Sequence, residues 1–181
     1  MSVPVLFVLL PNVLMLDLAG PAEVLRLAAQ SEDPAALDFD LQYVSPVPSL
    51  QTSIGLPLAG LAPLPPSLAP GTLVVLVGST SKVSKAQQQA FESASDTLTQ
   101  WLQSVFAASG QRLVCVCAGA LSAARAGLLD GRQCTTHHAL CEALQALAPK
   151  ARVLENRLYV TDGPVSCSAG VTAVSYTHLR A

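Results

Sequence analysis

Two hydrophobic rhythms alternate along the chain. Val3 to Leu10, "TLVVLVG" from Thr72 and "RLVCVC" from Arg112 are apolar at nearly every position. Strands covered on both faces look like this, because neither side meets water. Phe39 to Val44 reads as a further strand. Between these runs, apolar residues recur at helical spacing. "LDLAGPAEVLRLAAQ" is expected to turn through Gly20-Pro21 into a helix, with Pro21 in its first turn. In the stretch 81–109, Phe91, Leu98, Trp101, Leu102, Val105 and Phe106 fall on one face. "AGALSAARAGLLDG" predicts a helix ended by Gly127 or Gly131, and "HHALCEALQALA" one stopped by Pro149. "SLQTSIGLPLAGLAPL" has the short alternation of a small hairpin, and the Pro-rich "APLPPSLAPG" after it is a loop. "RVLENRLYVTDGPVSCSAG" reads as short strands around turns. Strands alternating with helices predict an α/β chain, a three-layer α/β/α sandwich with a mostly parallel sheet.

Composition narrows the classes. The chain has 181 residues, of which 51% are hydrophobic and 12% charged, with a mean hydropathy of +0.46. Such apolarity raises the question of a membrane span. The N-terminal run is interrupted by Pro11, Asn12 and Asp17, and no stretch reaches the roughly 18 unbroken apolar residues that a span needs. A basic leader and cleavage site are also missing from it, so a signal peptide is not expected. The net charge is −2 and no Lys/Arg cluster stands out, which leaves no basic footprint for direct nucleic-acid binding. Five cysteines, at 115, 117, 134, 141 and 167, show no CxxC spacing. Free thiols in a reducing cytoplasm are the expectation, with no metal and no cofactor.

The candidate chemistry centres on Cys117. It ends the "RLVCVC" run, and the small residues Ala118 and Gly119 lead straight into a helical pattern. In α/β sheets ligands bind at the carboxyl ends of strands. A cysteine on a strand-to-helix turn there would sit in the positive field of a helix N-terminus, which lowers a thiol's pKa. The alternative is an ordinary buried structural thiol. Cys115 is expected on the same strand face as Cys117 but deeper. Asp17 and Glu23 follow the first strand, and a neighbouring carboxyl pushed towards its protonated form could donate a hydrogen bond to sulfur. Asp17 could equally cap its helix, and Glu23 could be an exposed first-turn acid. His137 could pair with Cys117 as base or orienter, or belong with Thr135 and Thr136 to a helix cap. His137 and His138 are adjacent and make a poor metal pair.

The motifs "LPNVLMLDLAGPAEVLRLA", "LVCVCAGALSAARAGLLDGRQCTTHHAL" and "RLYVTDGPVSCSAGVTA" resemble the ThiJ/PfpI superfamily, which has a flavodoxin-like, class I glutamine-amidotransferase-like fold. The resemblance runs from about Val3 to Ala173. Within that superfamily the chain is most similar to the N-terminal domain of AraC/XylS-type transcriptional regulators, which carry a helix-turn-helix domain afterwards. It implies Cys117 at a nucleophile elbow with Glu23 beside it and His137 nearby, Asp17 at an acidic position used by the isonitrile hydratase branch, and a ligand pocket at Gly78, Ala118 and Gly119. It also implies a homodimer and a small-molecule effector, with DNA reached only through the missing C-terminal domain. Ala118 stands where the protease branch has His and the hydratase branch has Thr, which favours sensing over catalysis. The segment Val174 to Ala181 breaks the pattern and reads as a non-native tail, leaving residues 1–173 as the domain. The expected function is a ligand- or redox-sensing regulatory domain. The alternatives are a cysteine-dependent hydratase or hydrolase and a degenerate scaffold that only dimerises.

Overall fold

A computed structural model of the chain describes residues 2–30, 37–80, 84–106 and 110–170. The tail 174–181 and both ends of the 81–109 stretch lie outside these residues. Strands β1 (Ser2–Val8), β2 (Asp38–Val44), β5 (Leu73–Leu76), β6 (Arg112–Val116) and β10 (Val165–Ser168) pair in parallel, and β9 (Tyr159–Asp162) joins one edge antiparallel. The order is β2-β1-β5-β6-β10-β9. The mostly parallel α/β sandwich read from the sequence is the architecture found. The predicted hairpin is also present, as antiparallel β3 (Ser49–Gln51) and β4 (Pro57–Ala59). A two-residue parallel pair, β7 (Gln133–Cys134) and β8 (Arg152–Val153), lies apart from the main sheet.

The unbroken apolarity of the central strands follows from having two cores. Leu6, Val8, Val74, Leu76, Leu113 and Cys115 point into one, and Val5, Phe7, Val75, Val77 and Val116 into the other. The first core is closed by α2 (Lys85–Val105), α3 (Gly119–Arg125) and α4 (Cys141–Leu147), and the second by α1 (Met15–Ala28) and the hairpin. All six apolar positions read from the 81–109 stretch meet the first core. A capping box of Ser84 with Gln87 starts α2. Trp101 Nε1 donates to the Pro65 carbonyl at 2.6 Å, tying the Pro-rich loop to that helix. Gly127, at φ 77°, ends α3. Gly127 N–H bonds Ala124 O and Leu128 N–H bonds Ala123 O, the paired bonds of a Schellman stop.

Two expectations are corrected. Helix α1 does not begin at Gly20-Pro21. It begins at Met15, and Pro21 lies inside it. The start is set by tertiary contact: Leu14 N–H donates to the Gly78 carbonyl at 2.8 Å, and Leu18 N–H already bonds Leu14 O. Cys115 and Cys117 do not share a face. Cys115 is in the core under α3, and Cys117 is in the core under α1. Alternation would place residues i and i+2 together, but the backbone turns over at Cys117, where φ is 54°.

Candidate functional site

Three strands deliver the site. β1, β5 and β6 run parallel and their carboxyl ends meet, so the loops leaving them converge. Cys117 leaves β6 in the left-handed region, which costs a residue other than glycine about 1–3 kcal/mol and persists only where neighbours over-determine it. They do here. Cys117 N–H donates to the Ser168 carbonyl of β10 at 3.0 Å, and its own carbonyl accepts from Ala120 N–H at 3.3 Å. The Thr136 hydroxyl, itself buried, donates to the same carbonyl at 2.7 Å. A side chain at Gly119 would put its Cβ onto the Leu76 carbonyl of β5, so only glycine lets α3 leave so close to the strand. Cys117 therefore occupies a sharp strand-to-helix elbow.

Asp17 is 4% exposed and stands against the thiol. Glycines make room for this contact. A Cβ at Gly78 would lie 2.5 Å from an Asp17 carboxylate oxygen and 3.0 Å from Cys117 Cβ. One at Gly170, where φ is 104°, would come within 3.3 Å of the Cys117 sulfur. The electrostatics reverse the expectation of an acidified thiol. Burial pushes Cys117 up to about 12, the Asp17 carboxylate adds to the rise, and the Ala118 N–H works against it. Helix α3 is only seven residues long, and its terminal field is outweighed by loss of water and a neighbouring negative charge. A proton placed on Asp17 would remove the repulsion and give the sulfur a hydrogen-bond donor, so thiol and carboxyl form a linked pair.

The other predicted residues divide. Glu23 is not beside Cys117, and that placement is corrected. Six residues along α1 from Asp17, it faces water and pairs with Arg26 at 2.6 Å. That hydrogen bond, chiefly, lowers its pKa. His137 does reach the site region, but its Nδ1 accepts from Ala139 N–H at 3.3 Å and caps the short 3-10 turn 138–140. It makes no hydrogen bond to Cys117, and burial first, then His138, lowers its pKa, while Asp17 acts the other way. The His137 and His138 rings lie 4.2 Å apart. Among the described residues no group of three or more His, Cys, Asp or Glu could hold a metal ion.

Above the elbow opens a cavity of about 420 Å³. Ala118 and His137 line it together with Cys117, whereas Gly78 and Gly119 shape the backbone beneath and do not face it. Leu14, Phe91, Leu121 and Leu140 make its walls apolar, and Ser79, Ser122 and Arg125 add polar groups. Sequence reasoning missed Thr136 as the elbow's clamp, Gly170 as its second close approach, and Ser79 and Phe91 as lining. Of these only Thr136 carried a signal, as a cap candidate, and its hydroxyl instead serves a carbonyl 19 positions away.

Comparison with known proteins agrees with this geometry. Over 67 residues the chain is 40% identical to the HTH-type transcriptional regulator GbdR of Pseudomonas aeruginosa, a match covering 37% of this chain and 18% of the regulator's length. Thus the matched part is under a fifth of that relative. An AraC family transcriptional regulator from Pseudomonas putida superposes with a TM-score of 0.73 at 21% identity, covering 99% of this chain and 90% of that one. A ThiJ/PfpI family protein from Pseudomonas syringae superposes with a TM-score of 0.69 at 18% identity, over 96% of this chain and 64% of that one. At these identities the structural matches show a shared fold. The model of the DJ-1/PfpI family matches residues 4–179. With the strand order, the elbow cysteine and that match in agreement, the chain belongs to the DJ-1/PfpI family.

Proposed function

We propose that the chain is the ligand-sensing domain of an AraC-type transcriptional regulator, and that the cavity over Cys117 receives its small-molecule effector. One observation carries the reading: the elbow is kept, but its thiol is buried beside Asp17 and pushed up to about 12. A nucleophile must be a thiolate near neutral pH, and a thiol with that pKa is overwhelmingly protonated there. The same argument weighs against redox sensing at Cys117, because oxidation also proceeds through the thiolate. A protonated thiol and apolar walls make instead a shaped, unreactive floor for binding, with the Asp17 carboxylate behind it. The local identity to a helix-turn-helix regulator supports the same reading. DNA contact would lie in a further domain, since no Lys/Arg cluster stands out in the sequence. No helix of the described residues is long and apolar enough to cross a membrane, and all five cysteines are free, which supports a cytoplasmic setting.

Sensing of this kind works by biasing an assembly between states. The surface that would receive a second copy is the outer side of α1, where Leu16 is 61%, Val24 65% and Leu27 53% exposed. Their spacing puts them along one stripe of the helix. Replacing Val24 and Leu27 with Glu should convert a dimer to a monomer in light-scattering measurements. An unchanged mass would remove this surface.

The runner-up is hydration of a small substrate by the Cys117–Asp17 pair, favoured by their contact. A turnover assay with small isonitriles and aldehydes separates the two. The sensing reading expects no difference between wild type and Cys117→Ser. Turnover that disappears in Cys117→Ser would replace it with the enzyme. A thermal-shift screen of small metabolites tests the sensor directly, and stabilisation that is lost when Ala118 is enlarged to Phe would locate binding in the cavity.

A further inference from the structure

The cavity is chemically lopsided. None of its lining residues is acidic, while Arg125 and His137 both border it. Arg125 is exposed. The ion pairs formed among the described residues are Arg26–Glu23 and Lys150–Asp130, so Arg125 has no carboxylate partner among them. A guanidinium at the edge of an otherwise apolar cavity offers a planar fork matched to a carboxylate. The opposite end differs. There Asp17 lies behind Cys117, and its charge would repel an anion. Between the two ends the walls are Leu14, Phe91, Leu121 and Leu140. Ser79, three residues beyond β5, lines the same space, and its hydroxyl is buried without a hydrogen-bond partner.

We propose that this cavity selects a small monocarboxylate with an apolar body, its carboxylate on Arg125 and its far end over Cys117 and Ser79. The assignment rests on reading the cavity as the effector site and names the class of effector. Length follows from the helix. Arg125 ends α3, six positions beyond Gly119 and a rise of about 9 Å at about 1.5 Å per residue, and Cys117 lies two positions before the helix. A helical side chain leans towards the N-terminus, so the guanidinium covers roughly half of that distance. The remaining half of that rise, together with the two-residue elbow, leaves room for about four to six carbons of ligand at roughly 1.3 Å of extension per carbon. A cationic ligand has no acid to pair with among the lining residues, and the ammonium of a zwitterion loses water against the apolar walls.

The test is isothermal titration of the chain with four compounds on one six-carbon skeleton: hexanoate, hexanamide, hexylammonium and 6-aminohexanoate. Wild type should bind hexanoate at least about tenfold more tightly than hexanamide and than hexylammonium, the size of one charge-assisted pair, with 6-aminohexanoate, which keeps the carboxylate, between them. In Arg125→Gln that preference should fall to parity, with Arg125→Lys between the two. Arg125 is on the surface, so both variants should keep the wild-type melting temperature. Equal binding of hexanamide, tighter binding of hexylammonium, or an unchanged hexanoate affinity in Arg125→Gln would each overturn the carboxylate assignment. Those results would leave the cavity standing as a binding site of different selectivity. Silence from all four compounds also overturns the assignment. The sensor reading itself falls only if, in addition, a broad small-molecule screen neither stabilises the chain nor slows alkylation of Cys117.

Discussion

Cys115 and Cys117 sit two positions apart at the end of one strand, and the fold treats them as unlike groups. Cys115 is fully buried, in register with Cys167 on the neighbouring strand, and their hydrogen bond, with burial, raises its pKa well above the ordinary thiol value. Cys117 is 7% exposed and borders a cavity. A similar contrast separates Asp17 from Glu23 on α1. The first is buried against sulfur, and the second is paired with Arg26 in water. In both pairs residue type is the same or nearly so, and position relative to the elbow decides the role. One backbone angle, the positive φ of Cys117, sends its side chain to the face where Asp17 waits.

The contrast can be broken most severely at Gly119. Gly119→Ala drives a methyl onto the Leu76 carbonyl, and moving strand backbone to relieve the clash should cost about 3 kcal/mol in urea unfolding. A loss below about 0.5 kcal/mol would mean that α3 can slide and the elbow is not fixed. Next comes Thr136→Val. It removes the hydroxyl that clamps the Cys117 carbonyl, with an expected cost of about 1–3 kcal/mol and faster alkylation of Cys117 but not of Cys115. Uniform acceleration of both thiols would show global loosening instead.

Smaller effects sharpen the comparison. Asp17→Asn takes away a negative charge that raises the Cys117 pKa, so the thiolate fraction must increase. Cys117 should then react several-fold faster with iodoacetamide at neutral pH, read site by site by tandem mass spectrometry, while Cys115 stays unchanged. A slower reaction would mean that Asp17 favours the thiolate, the opposite sign. Least of all should happen in Glu23→Gln. Its carboxylate faces solvent and holds only Arg26, and an exposed pair of this kind contributes little. Melting temperature and Cys117 reactivity should both match wild type. A change in reactivity would restore Glu23 to the site.

Much of this was legible in the chain. Continuous apolar runs are a direct consequence of burial on two faces, so β1, β5 and β6 stood out, as did the hairpin and the apolar stripe of α2. The elbow's place was also legible, because Cys117-Ala-Gly ends such a run. What failed was what depends on distant contacts. Pro21 looked like a helix start, since nothing local shows that Gly78 anchors Leu14. Strand alternation misplaced Cys115 relative to Cys117, since it assumes an extended backbone where φ is positive. Glu23 and Asp17 are both acids after the first strand, and only the packing of α1 distinguishes them. The thiol's pKa was read from the helix terminus alone, whereas desolvation and Asp17 prevail.

A thiol kept protonated at the elbow binds rather than reacts. This is tested most directly by the pH dependence of Cys117 alkylation in the wild-type chain. The rate should climb about tenfold per pH unit, as expected for a group titrating far above the range, with no plateau up to pH 10, in keeping with a pKa pushed up to about 12. A plateau reached between pH 5 and 8 would mean a thiolate poised at neutrality, and would return the site to catalysis.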